Sequence, residues 1–320
     1  LSVCQGLINA FDMPARQVFL AEIVERKEDL ANAIALNSSM FNGARLVGPA
    51  IAGALIAEVG VGWCFVVDSA SYVAVIAALL AMRIERRAAV ATHVPLLRGL
   101  TDGLSYCMSF KPIRALLLLS ATLSFVAIPY SVLLPTFAID VLHGNEATLG
   151  FLTSANGLGA LIGALYLASR SSVLGLGRLI GAATIVFGIG LLGFAFSHSL
   201  LLSLVALLIG GVGMMIQMAA ANTILQTIAD QDKRGRVMSL YSMAVLGVSP
   251  FGSLLGGFLA DWTSPAATVA LGGFGCLISA ALFFRALPEL RAHIRPVYRR
   301  MGILPMPDPT DPSLEVPTPS

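Results

Sequence analysis

Charge is what this sequence has least of. Only 12% of its residues are Asp, Glu, Lys or Arg, about half the ~25% of an ordinary soluble domain. That is too little polar material to cover a surface facing water, so a soluble globule is excluded. Histidine is also sparse. His93, His143, His198 and His293 all fall in connections or the tail, there is no HExxH, and Gly247-Val248-Ser249 has no histidine at membrane depth to activate its serine. An enzyme buried in the membrane therefore fares badly. Cys4, Cys64, Cys107 and Cys276 are far apart, with no CxxC and no neighbouring histidine, which points to neither a metal site nor a disulfide framework. The net charge of +2 is scattered and not massed on one face, so no nucleic-acid partner is expected. Gly175-Leu176-Gly177 and Gly211-Val212-Gly213 do not complete a dinucleotide fingerprint, and no cofactor is expected.

What the sequence has in abundance is apolar length: 57% of residues are hydrophobic and the mean hydropathy is +0.84. Runs near the ~20 residues needed to cross the hydrocarbon as helix recur from end to end. Complete spans are expected at Ala31 to Ala57, Gly62 to Met82, Ile113 to Ile139, Ala147 to Ala168, Leu179 to Phe196, Leu200 to Ala221, Val237 to Ala260 and Pro265 to Leu287, preceded by Leu1 to Ala10 as the tail of another. In lipid the backbone must satisfy itself as helices or as a closed barrel. Uninterrupted runs without period-2 alternation exclude the barrel, leaving an all-α integral membrane protein in contact with a lipid bilayer.

The basic residues alternate. Arg16, Arg26 and Lys27 fall in one connection, Arg83 to Arg114 in another, then Arg170 and Arg178, then Lys233, Arg234 and Arg236, then Arg285 to Arg300. The intervening connections near Val59 to Val61, Asp140 to Glu146, Ser197 to Ser199 and Asp261 to Ser264 hold none. Cytoplasmic connections retain Lys and Arg, so the expectation is a multi-pass protein of the inner cell membrane with a cytoplasmic C-terminus. The division that follows is 1–82 as part of a front half, 83–112 as a cytoplasmic linker, 113–287 as a six-helix rear half and 288–320 as a disordered, proline-rich tail. Laid on the rear at an offset of about 205 residues, the front repeats it. Ile23-Val24-Glu25 falls on Ile228-Ala229-Asp230, and Gly48-Pro49 followed by Gly53 resembles Pro250 followed by Gly256-Gly257. Pseudo-symmetry predicts a six-helix front half of which about three helices and most of a fourth are absent, a chain whose true N-terminus is missing before Leu1.

The segments Asn9 to Gln17, Asp29 to Ser38 and Gly48 to Gly53 resemble the major facilitator superfamily, above all its enterobactin-exporter-like branch of bacterial efflux proteins. The resemblance covers Leu1 to Leu287. It implies a bundle of two pseudo-symmetric six-helix halves around a central cavity, and a secondary transporter working by alternating access, usually as a proton-coupled exporter. Its partners would be a small amphiphilic substrate, siderophore-like or drug-like, and protons as coupling ion. Gly43, Gly48, Pro49 and Gly53 are similar to the antiporter motif, with one extra residue after Pro49. Gly163, Leu165, Arg170, Gly177 and Arg178 look like a worn rear copy of the signature cytoplasmic loop, with Ser169 where its acid would stand. A non-transporting membrane subunit, or an inactive truncated transporter, is the alternative.

Arg45 is the one basic residue inside a span, where charge is costly and faces a cavity or a partner. Ser38, Asn42, Arg45 and Pro49 share one helix face, either lining the pathway or its gate, or anchoring structure. Asp68 lies about 9 Å deep at 1.5 Å per residue, as a proton carrier or in a structural hydrogen bond. Pro49 and Pro250 occupy matching repeat positions and offer hinges. Asn156, Gln217, Asn222 and Gln226 are amides in or near helices that line the cavity in the family; they hydrogen-bond either substrate or neighbouring helices. Asp12 and Arg16 are four apart at the cytoplasmic mouth, as a gate pair or a solvated one. Gly159 and Gly163, Gly177 and Gly181, and Gly252 and Gly256 have the four-residue spacing that lets helices approach closely.

Overall fold

The computed structural model describes residues 40, 61–81, 96–170, 172–230 and 233–300. Among them every regular element is helical, and seven helical stretches are long and apolar enough to cross a membrane. Seven of the eight spans expected from sequence are thus present. The eighth, Ala31 to Ala57, lies outside the described residues. The helices are α1 (Val61–Ala81), α2 (Leu96–Ser109), α3 (Lys111–Val126), α4 (Tyr130–Thr136), α5 (Glu146–Ala168), α6 (Leu176–Ala195), α7 (Leu200–Ile228), α8 (Arg234–Ser242), α9 (Ser249–Trp262) and α10 (Pro265–Arg300).

Local chemistry sets the ends. Asn145 opens α5 with a capping box: its Oδ1 accepts from the Ala147 and Thr148 amides at 3.1 and 3.2 Å, and Thr148 Oγ1 accepts from the Asn145 amide at 3.2 Å. Ser199 accepts from the Leu202 amide to open α7, and Ser264 from the Ala267 amide to open α10.

Two spans are broken by proline. Pro129 cannot donate a backbone bond, so the span over 111–141 bends between α3 and α4, and beyond Pro135 it relaxes into a π turn at Phe137–Val141. Ahead of Pro250 a second π turn, Met243–Gly247, joins α8 to α9, with the Val248 amide reaching back to the Met243 carbonyl at 3.2 Å. The first break packs against α9 beyond the second, and the second lies level with Ser124 of α3. A Cβ on Gly256 would lie 2.6 Å from that of Pro129, and Gly252 backs directly onto the Phe125 backbone.

Close approach through glycine recurs at the other crossings. Gly159 and Gly163 rest on the α7 backbone at Leu208 and Val212, and Gly177 and Gly181 receive Leu287 and Phe284 of α10, so all three glycine pairs read from spacing are contact points. The core at these crossings is aromatic and aliphatic: Phe137 stacks on Phe194 with centroids 4.4 Å apart, and Leu152, Phe187, Leu191, Leu207 and Leu225 are fully enclosed. Outward faces stay apolar, with Leu201, Leu254 and Trp262 each more than 70% exposed, as hydrocarbon in place of water requires.

Two segments differ from expectation. The connection over 83–112 contains α2, which docks onto the turn between α7 and α8. Tyr106 donates to Asp230 Oδ2 at 3.1 Å, its oxygen accepts from the Asp230 amide at 3.3 Å, Lys233 Nζ sits 4.5 Å from its ring centre, and Gly103 abuts Arg236. Burial raises the Tyr106 pKa above the ordinary phenol value. Tyr106→Ala is expected to release this turn, and limited trypsin digestion should cut at Lys233 to Arg236 faster than in the parent. An unchanged digestion rate would contradict the docking. The second difference corrects the tail. Helix α10 runs on to Arg300 with Leu290 and Tyr298 buried, and Lys111 pairs with Glu289. Residues 288–300 are therefore helix rather than disordered chain: apolar residues at 290, 294, 297 and 298 keep one face attached to the bundle in spite of Pro288 and Pro296.

Candidate functional site

Polar side chains inside an apolar bundle need a reason, because an unpaired donor there keeps its full desolvation cost. The structure gathers three where α3, α6, α7 and the π turn Met243–Gly247 meet. Ser120 is 4% exposed, Ser124 1% and Gln217 3%. Ser124 donates its hydroxyl to the Val245 carbonyl, within the π turn. Ser120 Oγ and Gln217 Nε2 have no hydrogen-bond partner among the described residues. Both border one cavity, walled also by Phe187, Met214 and Met218, with about 10 Å³ open to the centre of a water molecule, room for roughly one water. The site thus combines two unused polar groups, a flexible methionine wall and a neighbouring irregular turn of backbone.

The four amides read from the sequence separate. Gln217 faces the cavity. Asn156 donates to the Leu207 carbonyl at 3.4 Å and interacts with Tyr130, tying α5 to α7 and α4. Asn222 and Gln226 pair with each other along α7 at 2.6 Å, on a face that becomes exposed toward the helix end. Pro250 is exposed in the first turn of α9, after the π turn. Asp68 is exposed on α1, with Ser71 donating to its carbonyl. Ser38, Asn42, Arg45, Gly48, Pro49, Asp12 and Arg16 lie outside the described residues. Ser120 and Ser124 escaped sequence reading, although their signal was present: two hydroxyls at i and i+4 in the leucine-rich run over 116–124.

The arginine-bearing connections collect at one end of the bundle. Asp230 and Lys233 meet Tyr106 there, Lys111 meets Glu289, and Arg178 of α6 faces Arg291 of α10. The turns at 142–145, 197–199 and 263–264, which carry no Lys or Arg, join the opposite helix ends.

Comparison with known proteins agrees with this architecture. The family described as transmembrane secretion effector matches residues 1–303. The multidrug efflux pump Tap of Mycolicibacterium fortuitum is 31% identical over 301 residues, 91% of this chain and 72% of that protein. The staphyloferrin A transporter of Staphylococcus aureus is 25% identical over 88% of this chain and 70% of its own length. The enterobactin exporter EntS of Citrobacter koseri is 26% identical over 84% and 64%. The chain thus spans between 64% and 72% of the length of these relatives. A solved bacterial homologue of the human lysosomal transporter Spinster, inward-facing and unoccupied, superposes with a TM-score of 0.44 and 14% identity over 88% of this chain and 74% of that one. Multi-pass and helical, the chain belongs to the transmembrane secretion effector family of the major facilitator superfamily, a family of membrane transporters.

Proposed function

We propose that this protein exports a small amphiphilic solute, drug-like or siderophore-like, by alternating access coupled to proton entry, in the inner membrane with its C-terminus in the cytoplasm. Residues 113–287 act as one rocking half, 1–82 belong to the other, and the linker over 83–112 joins them. The observation that carries the reading is the pair of unpaired, buried groups, Ser120 Oγ and Gln217 Nε2, aimed into one cavity beside a broken helix. Transporters place substrate groups at interrupted helices near mid-membrane, where irregular backbone lines a cavity. The cavity holds about one water in this conformation, so the helix movement of alternating access would widen it before its amide and hydroxyl, set against methionine and phenylalanine, met a solute with a few polar groups on an apolar frame. The names of the relatives, which include a multidrug efflux pump and an enterobactin exporter, favour the same class.

Transport in everted membrane vesicles tests this. Energised vesicles should accumulate a dye or siderophore-type solute, and an uncoupler should collapse the uptake. Uptake indifferent to the proton gradient would remove the coupling. Arg45→Ala is expected to abolish this uptake while leaving membrane insertion intact, because a charge in mid-span is retained for a cavity or a partner. Unchanged uptake in the variant would refute a pathway role for Arg45.

A further inference from the structure

Helices α6 and α10 pack antiparallel along their lengths. Gly188 meets Cys276, Gly181 meets Phe284 and Gly177 meets Leu287. Helix α6 begins at Leu176, but α10 continues past Leu287 to Arg300. Its next two residues on the face turned toward α6 are Arg291 and Arg295, one and two helical turns beyond Leu287. Arg178 sits in the first turn of α6, beside Gly177. Three guanidinium groups therefore converge just below the start of α6. Arg291 is subject to repulsion from both Arg178 and Arg295, and no carboxylate among the described residues offsets it. Glu289 turns instead to Lys111. The first turn of α6 adds the positive end of a helix dipole, with no side chain capping it.

Such a concentration of like charge calls for an anion, and its position narrows the choice. Arg178 is two residues inside the apolar span Leu176–Ala195, and Leu287 closes the strongly apolar part of α10. The cluster therefore lies at headgroup depth. Above it on α6, Arg178, Ala182 and Ile189 form one exposed stripe, apolar beyond the arginine, on which an acyl chain can lie. We infer that Arg178, Arg291 and Arg295 bind the phosphate of an anionic phospholipid, with its chains against the exposed face of α6. Basic recesses between membrane helices bind lipid phosphates in this way, and guanidinium suits phosphate by its bidentate geometry.

The purified full-length protein in neutral detergent provides the test, read by thermal unfolding and by lipid adducts retained in native mass spectrometry. Added phosphatidylglycerol should raise the unfolding midpoint by several degrees and leave retained adducts, while phosphatidylcholine and inorganic phosphate at equal concentration should do neither. Arg178→Gln, Arg291→Gln and Arg295→Gln combined should remove both responses. Arg285→Gln, elsewhere on α10, should keep them. Each single glutamine variant should weaken the phosphatidylglycerol response, which keeps the inference testable if the triple variant does not fold. A full response in the single and triple variants would overturn the inference. So would an equal response to phosphatidylcholine, or to inorganic phosphate alone.

Discussion

Gln217→Leu is expected to lower vesicle transport by about tenfold or more while leaving the protein at least as stable as the parent, because it removes an unpaired polar group along with the proposed substrate contact. The two readouts separate function from structure. If Gln217 only braced the bundle, its loss would destabilise the fold. Its Nε2 braces nothing among the described residues, being buried without a partner, and a buried donor left unpaired costs about 1–3 kcal/mol. A leucine of similar volume recovers that cost and packs against Phe187, Met214 and Met218. Thermal unfolding in detergent should therefore hold or rise as transport falls. Transport at the parent level would remove Gln217 from the pathway, and a large drop in unfolding midpoint would assign it to structure.

Gly213→Leu is expected to abolish folded protein. A Cβ at this position would lie 2.6 Å from the Ala183 carbonyl oxygen and closer still to the Phe187 backbone, atoms that cannot move without parting α6 from α7. The same crossing sets Gly190 against Gly210, so no slack is available nearby. Without water to drive association, packing carries much of the cohesion between membrane helices, and overpacking a tight crossing costs about 1–3 kcal/mol or more. Size-exclusion chromatography of a fluorescent fusion should show aggregate in place of the parent peak. Gly257→Ala is the control, since nothing lies within 4 Å of a Cβ there, and it should elute as the parent does. A normal peak from Gly213→Leu would contradict the crossing.

Much of this was legible in sequence because the membrane imposes simple rules. Span length follows from bilayer thickness, so the helices from Gly62 onward were placed to within a few residues at most ends. The glycine pairs were readable because only glycine lets two backbones touch. The helical continuation to Arg300 was hidden by Pro288 and Pro296, which suggested a break that the apolar face of α10 overrides. Helix α2 was hidden by the polarity of its connection, since its partner residues, Asp230 and Lys233, lie more than 120 positions away. The cavity was half legible. Gln217 stands out in an apolar run, but Ser120 and Ser124 are ordinary in membrane helices, where a hydroxyl usually bonds its own backbone, as Thr184 does to the Ile180 carbonyl at 2.8 Å. That Ser120 does not, and that Ser124 instead reaches the π turn, depends on a fold that no spacing encodes. Asn156, Asn222 and Gln226 looked equivalent to Gln217 in sequence and are separated by which neighbour each one meets.

The most direct test of the central claim, a helical chain crossing the membrane with its arginine-bearing turns on one side, is thiol labelling in intact cells with native cysteines replaced. Single cysteines at His198 and Thr263 should react with an impermeant maleimide added outside, and cysteines at Ser172 and Gly235 should react only after the membrane is opened. Labelling of Ser172 and Gly235 from outside, with His198 and Thr263 shielded, would contradict the account.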